Sequence, residues 1–138
     1  MQLISQRGRR QRGAAAVEMA IMLPLLLLVI GGIVDFGRFF LSDIQLANAA
    51  REGARVAVIG QDAAAIDARV RTAAKQVEDT AGLVVVIVEC AGAGSDATVT
   101  ASEPGFDWIL FGPAMSFFGG SPTTLPNATS TAVMRCEA

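Results

Sequence analysis

The chain has 138 residues, enough for one domain, and is 52% hydrophobic with only 17% charged residues, so it is neither disordered nor an ordinary strongly solvated domain. Its net charge of −2 conceals an asymmetry: residues 1–13 hold Arg7, Arg9, Arg10 and Arg12 with no acid, which leaves about −6 for the remainder. With no histidine, His-activated nucleophiles, HExxH zinc sites and imidazole acid–base chemistry are all excluded. Cys90 and Cys136 form no CxxC pair, no phosphate-binding glycine loop is present, and the basic residues lack interleaved aromatics. The expectation is a non-enzymatic protein with no catalytic residue, metal, cofactor, nucleic acid or small-molecule substrate.

Ala14–Val34 is a 21-residue run with a single charge, Glu18, and its core Met19–Val34 (MAIMLPLLLLVIGGIV) has none. As a helix it spans about 31 Å, the hydrocarbon thickness of a bilayer. The alternative, a buried globular helix, lacks anything large enough to enclose it. Four arginines before the run and Asp35-Phe36-Gly37-Arg38 after it keep residues 1–13 cytoplasmic and send the rest outward. Removal as a secretory signal is disfavoured, because the nearest AxA-like triplet, Ala47-Asn48-Ala49, lies far beyond the apolar run. Arg9-Arg10 is an ordinary pair in a basic leader rather than a twin-arginine signal.

A carboxylate inside an apolar span is costly unless paired or near an interface. Glu18 is the fifth residue after Gly13. Cleavage between Gly13 and Ala14 would create an α-amine about one helical turn from Glu18, in this chain or beside a neighbouring one. The alternative is that Glu18 snorkels to the cytoplasmic interface. Pro24 within the span predicts a kink. Gly31-Gly32 and Gly37 permit close approach of another helix, or simply fill the bilayer thickness.

These features resemble one family. Gly13 with Glu18, Ala16-Val17-Glu18, Leu23-Pro24, Gly32 through Asp35-Phe36-Gly37-Arg38, and Asn48-Ala49-Ala50-Arg51-Glu52-Gly53-Ala54-Arg55 together look like the TadE-like family of tight-adherence (Tad, or Flp) pilus systems. The resemblance covers Arg12–Val58, about a third of the chain. It implies a pseudopilin-like protein of the bacterial inner membrane, single-pass, cut after Gly13 by a prepilin peptidase, with Glu18 serving recognition or packing. Implied partners are that peptidase, the lipid bilayer, other pilins or pseudopilins and inner-membrane platform proteins. A permanently anchored, unprocessed adaptor of an envelope complex is the alternative.

The fold expected is α+β: a leader (1–13), a membrane helix (14–35) running on into an extracytoplasmic region (36–138), and a small antiparallel head. Phe36, Phe40, Ile44, Ala47, Ala50, Ala54 and Val58 recur at helical spacing, so the first helix is read as continuing to Ile59 with Gly60 as its C-cap. Arg51, Glu52 and Arg55 read either as local pairing on a solvated face, Glu52 with Arg55, or as a partner contact. Asp62 is the expected N-cap of a second helix reaching Ala81, with Ile66, Val70, Ala73, Val77 and Ala81 inward and Asp67–Arg71 and Lys75–Asp79 paired outside. Leu83–Cys90 reads as a buried strand, Ala91–Ser95 as a turn, Ala97–Ser102 as the second arm of a hairpin and Asn127–Cys136 as a third strand.

Between them, residues 105–120 hold five of the eight aromatics. They read as a lid over the sheet or as an apolar surface for a membrane or partner. Outside the cytoplasm, Cys90 and Cys136 at neighbouring strand ends are expected to form a disulfide; two buried thiols are the alternative. Asp62, Asp96 and Glu103, taken as exposed, form no cluster suited to calcium.

Overall fold

The computed structural model describes residues 4–75, 77, 81–121 and 125–137, with residues 4–12 as helical backbone. The leader arginines' side chains and Asp79, the expected partner of Lys75, lie outside what is described.

One helix dominates. Its stock of Ala, Leu, Met and Arg favours the α conformation, and α1 runs from Ile4 to Val58, 55 residues or about 80 Å. Helical backbone continues on both sides of Pro24. At the other end Gly60 takes φ +75 and donates to Ala57 O at 3.2 Å, which satisfies an orphan carbonyl and turns the chain.

Asp62 caps α2 (Ala63–Ala73), accepting the Ala65 amide at 2.9 Å. This helix stops well before Ala81, the end that its apolar spacing suggests. Arg71 holds Asp67 through Nε at 2.8 Å and also donates to Leu83 O, so the chain must turn back toward the sheet within a few residues. Val77 is still buried, but in a bend rather than a helix.

The strands β1 (Val84–Val88), β2 (Asp96–Glu103) and β3 (Ala128–Arg135) form an antiparallel sheet in the order β1-β2-β3, with Ile87 opposite Val99 and Val99 opposite Ala132. Strand alternation puts Ala97, Val99 and Ala101 on the inner face, with Ala128 and Ala132 beside them. Against them sit Leu46, Ala49, Ala50, Ala54 and Ala57 of α1 and Ile66 and Val70 of α2. Alanines on both sides bring helix and sheet close together. Gly53 takes this furthest: a Cβ there would overlap Val70 Cγ2 and stand 3.0 Å from Val99 Cγ1.

Three sequence-based expectations are corrected here. The predicted stripe of α1 meets the core only in its later half: Ala50 and Ala54 are buried and Val58 packs against them, but Phe40 and Ile44 are exposed and Leu46, Ala49 and Ala57 take part instead. Strand β1 is not buried either: it is an edge strand whose Val84, Val86 and Val88 face outward. Glu103 is fully buried, since strand register places it on the same inner face as Val99 and Ala101.

Cys90 and Cys136 are joined as a disulfide, their Cα atoms 5.9 Å apart. Beside it, Cys136 exchanges backbone hydrogen bonds with the β1–β2 loop, its amide donating to Ser95 O and its carbonyl accepting from Gly94. The end of β3 is thereby locked to the far end of the hairpin.

Candidate functional site: a helix clamped at its membrane boundary

Along its apolar run α1 is almost wholly uncovered, and it is long and apolar enough to cross a membrane. Gly13, Ala14 and Glu18 all lie exposed on this helix, Ala14 and Glu18 one turn apart on the same face. Above the run the uncovered face continues through Phe40, Leu41 and Ile44, so an apolar ridge extends past the first charged residues.

Where the charges begin, Asp35 builds a clamp. Its fully buried carboxylate accepts two amides through Oδ2, Leu110 at 2.9 Å and Phe111 at 2.7 Å, and so caps a short helix α3 (Phe111–Phe117) from 75 residues away in sequence. Its other oxygen lies 3.6 Å from Arg38 Nη1. Arg38 in turn donates to Asp107 O at 3.2 Å and lies over the Phe106 ring at 5.4 Å.

Around these polar contacts close the aromatics. Trp108 stacks on Phe39 and meets Phe36 and Phe106 edge-on, with centroids between 5.1 and 5.4 Å. Residues 105–118 thus pack principally on α1 rather than serving as a lid over the sheet. Gly31 admits them: a Cβ there would stand 2.5 Å from Leu110 Cδ1, whereas Gly32 and Gly37 have open space beside them. Pro24 borders a shallow groove shared with Leu27, Leu28, Leu110, Phe111 and Ala114.

Arg51 and Arg55 are exposed on α1. Glu52 does not form the expected bond with Arg55; it binds Arg69 of α2, whose Nη2 donates at 2.7 Å. The Arg69 hydrogen bond and positive charge hold the Glu52 carboxyl below its ordinary value of 4.5, against a smaller opposing effect of burial, and the charge of Arg55 adds to the lowering. Among the described residues no cluster of His, Cys, Asp or Glu is gathered in a way that could hold a metal ion.

The residues that organise this region fall in one stretch of sequence. The family described as TadE-like protein matches residues 13–55. Residues 13–55 are thus similar to the TadE-like family. No curated protein and no solved structure matches the chain. The TadE-like segment holds Gly13, Glu18, the Asp35–Arg38 clamp and the Arg51–Arg55 cluster, while residues 56–138 supply what those side chains grip. The clamping role of Asp35 escaped the sequence reading. The only local sign was a carboxylate placed immediately after an uncharged run of sixteen residues.

Proposed function

We propose that the protein is a pseudopilin-like, non-enzymatic subunit of the inner membrane that supports assembly of a Tad/Flp-type pilus or secretion apparatus. The observation that carries this reading is the TadE-like segment lying on one unbroken helix whose apolar face stays uncovered from the membrane run to Ile44. A face of that length matches lipid below and the helices of other pilins or pseudopilins above. The head, held rigid by the disulfide, keeps the ridge presented outside the bilayer.

In this reading a prepilin peptidase cuts between Gly13 and Ala14, discarding the four leader arginines. The new amine of Ala14 then faces Glu18, in the same chain or a neighbour, and neutralises a carboxylate that would otherwise sit unpaired at the edge of lipid. Inner-membrane platform proteins and the exposed Arg51 and Arg55 are the further contacts this assembly would use. The alternative, an unprocessed and permanently anchored adaptor, differs in one measurable property.

Intact mass of the protein purified from cells with an active prepilin peptidase is expected to show residues 1–13 removed. A full-length N-terminus would overturn the pseudopilin reading in favour of the adaptor. For Glu18, the Glu18→Ala chain is expected to be membrane-inserted but defective in pilus assembly; normal assembly would remove the ion-pair role.

A further inference from the structure

We infer that residues 109–120 form a second membrane-inserted element, in which α3 and its flanks enter the outer leaflet alongside α1. This rests on the reading of α1 as a membrane span and adds a second point of contact with the same bilayer.

Depth is the first argument. Leu110 packs on Gly31, and Ala114 shares a groove with Pro24, Leu27 and Leu28, so α3 descends antiparallel to α1. These groove residues stand seven to eleven positions before Asp35, which puts Ala114 about 10–16 Å below the clamp, within the outer half of a hydrocarbon layer roughly 30 Å thick. A head segment placed there either enters lipid or holds lipid off the span.

The side chains favour entry. On α1 no charge occurs between Glu18 and Asp35; on the descending segment none occurs between Asp107 and Arg135. On α1 and on residues 108–121 the charges therefore cease at one level, marked by Asp35, Arg38 and Asp107. Below it, Ile109 is half-exposed and Phe117 and Phe118 are 86% and 77% exposed. Trp108 lies at the boundary itself, where an indole is suited to the interface.

Hydrocarbon also demands that backbone polar groups be satisfied internally, and the following groups of this segment are. Asp35 accepts the amides of Leu110 and Phe111, and Pro113 has none to satisfy. At the lower end Phe118 donates to Ala114 O, Gly119 to Ser116 O and Gly120 to Met115 O at 2.8 Å, while the Ser116 hydroxyl donates to Gly112 O. The Asp35 carboxylate is itself withdrawn from lipid behind these contacts.

The full chain, reconstituted in phosphatidylethanolamine–phosphatidylglycerol vesicles containing acyl-chain-brominated phosphatidylcholine, tests this. With Trp108→Phe as background, Phe117→Trp and Ile21→Trp are compared, the Cys90–Cys136 disulfide reporting that each head has folded. Both introduced indoles are expected to emit in the blue and to lose most of their emission to the bromines. Quenching at position 21 with a red, unquenched indole at position 117 would overturn the inference and leave the span intact. A blue but unquenched indole at 117 would overturn it in favour of cover by protein, a second copy or a partner. Quenching at neither position would remove the membrane reading itself. In the unsubstituted chain, hydrogen exchange gives an independent measure: in vesicles the amides of 112 and 114–118 are expected to exchange as slowly as those of the apolar run of α1, and exchange as fast as in an exposed loop would overturn the inference.

Discussion

At the scale of single residues, glycine carries different meanings along α1. Gly53 is the point where α1, α2 and the sheet converge, and its neighbours Val70 and Val99 are fully buried and unable to swing aside. Alanine would gain up to about 1 kcal/mol of helix propensity but incur an overpacking penalty of about 1–3 kcal/mol. Gly53→Ala is therefore expected to destabilise the fold by up to roughly 2 kcal/mol in urea unfolding of the detergent-solubilised chain. Gly37, with nothing nearby, serves as the comparison: there alanine is expected to be neutral or mildly stabilising. Asp35 is the other decisive residue, because losing its carboxylate would leave two buried amides without an acceptor.

At the scale of elements, the Glu52–Arg69 pair joins α1 to α2 across 17 residues, on the exposed side of the same contact that Gly53 makes internally. Glu52 is lowered in the folded state, so the unfolded chain binds that proton more tightly. The pair's contribution is present in full above the ordinary carboxylate value of 4.5 and is lost as pH falls through the lower folded value. Both side chains are substantially exposed, so the effect is small and screened by salt. Urea midpoints measured on either side of 4.5 at low ionic strength are expected to fall less with acidity in Arg69→Gln than in the unsubstituted chain.

Other elements show what sequence spacing leaves open. On the first part of this stretch of α1, two adjoining stripes compete: Phe36, Phe40 and Ile44, which lead on to Ala50 and Ala54, and Leu46, Ala49, Gly53 and Ala57 beside them. Hydrophobicity favours the aromatic one. The sheet occupies the other, because alanine and glycine admit a close backbone approach that phenylalanine forbids. Strand β1 repeats the lesson, since VVVIV reads as interior while only its position at the sheet edge leaves alternate valines outside. For α2, the N-cap was legible in Asp62, but its end was set by Arg71 reaching Leu83 across the fold.

At the scale of the whole molecule, the head has a small core made largely of alanine and valine, buried against one face of α1. Such a core gives limited apolar burial, and the Cys90–Cys136 bond closes a long loop that spans most of it. Replacing both cysteines with serine is expected to cost about 2–5 kcal/mol in denaturant unfolding, and treatment with reductant to do the same to the unsubstituted chain. Unchanged stability would show that the α1–sheet packing suffices alone.

The sequence by itself determined the long apolar helix, the Gly60 and Asp62 caps, the strands and the resemblance of residues 13–55 to the TadE-like family. Each of these is written in neighbouring residues, through periodicity, charge or capping chemistry acting over a few positions. Tertiary structure alone decided which residues of α1 are core, that Glu103 is buried, that Glu52 turns to Arg69, and that Asp35 holds α3 beside the apolar run of α1. Those depend on contacts between residues from 17 to 76 positions apart. No local pattern encodes them, because a carboxylate or an aromatic ring carries the same chemistry whether its partner lies one turn away or at the far end of the chain.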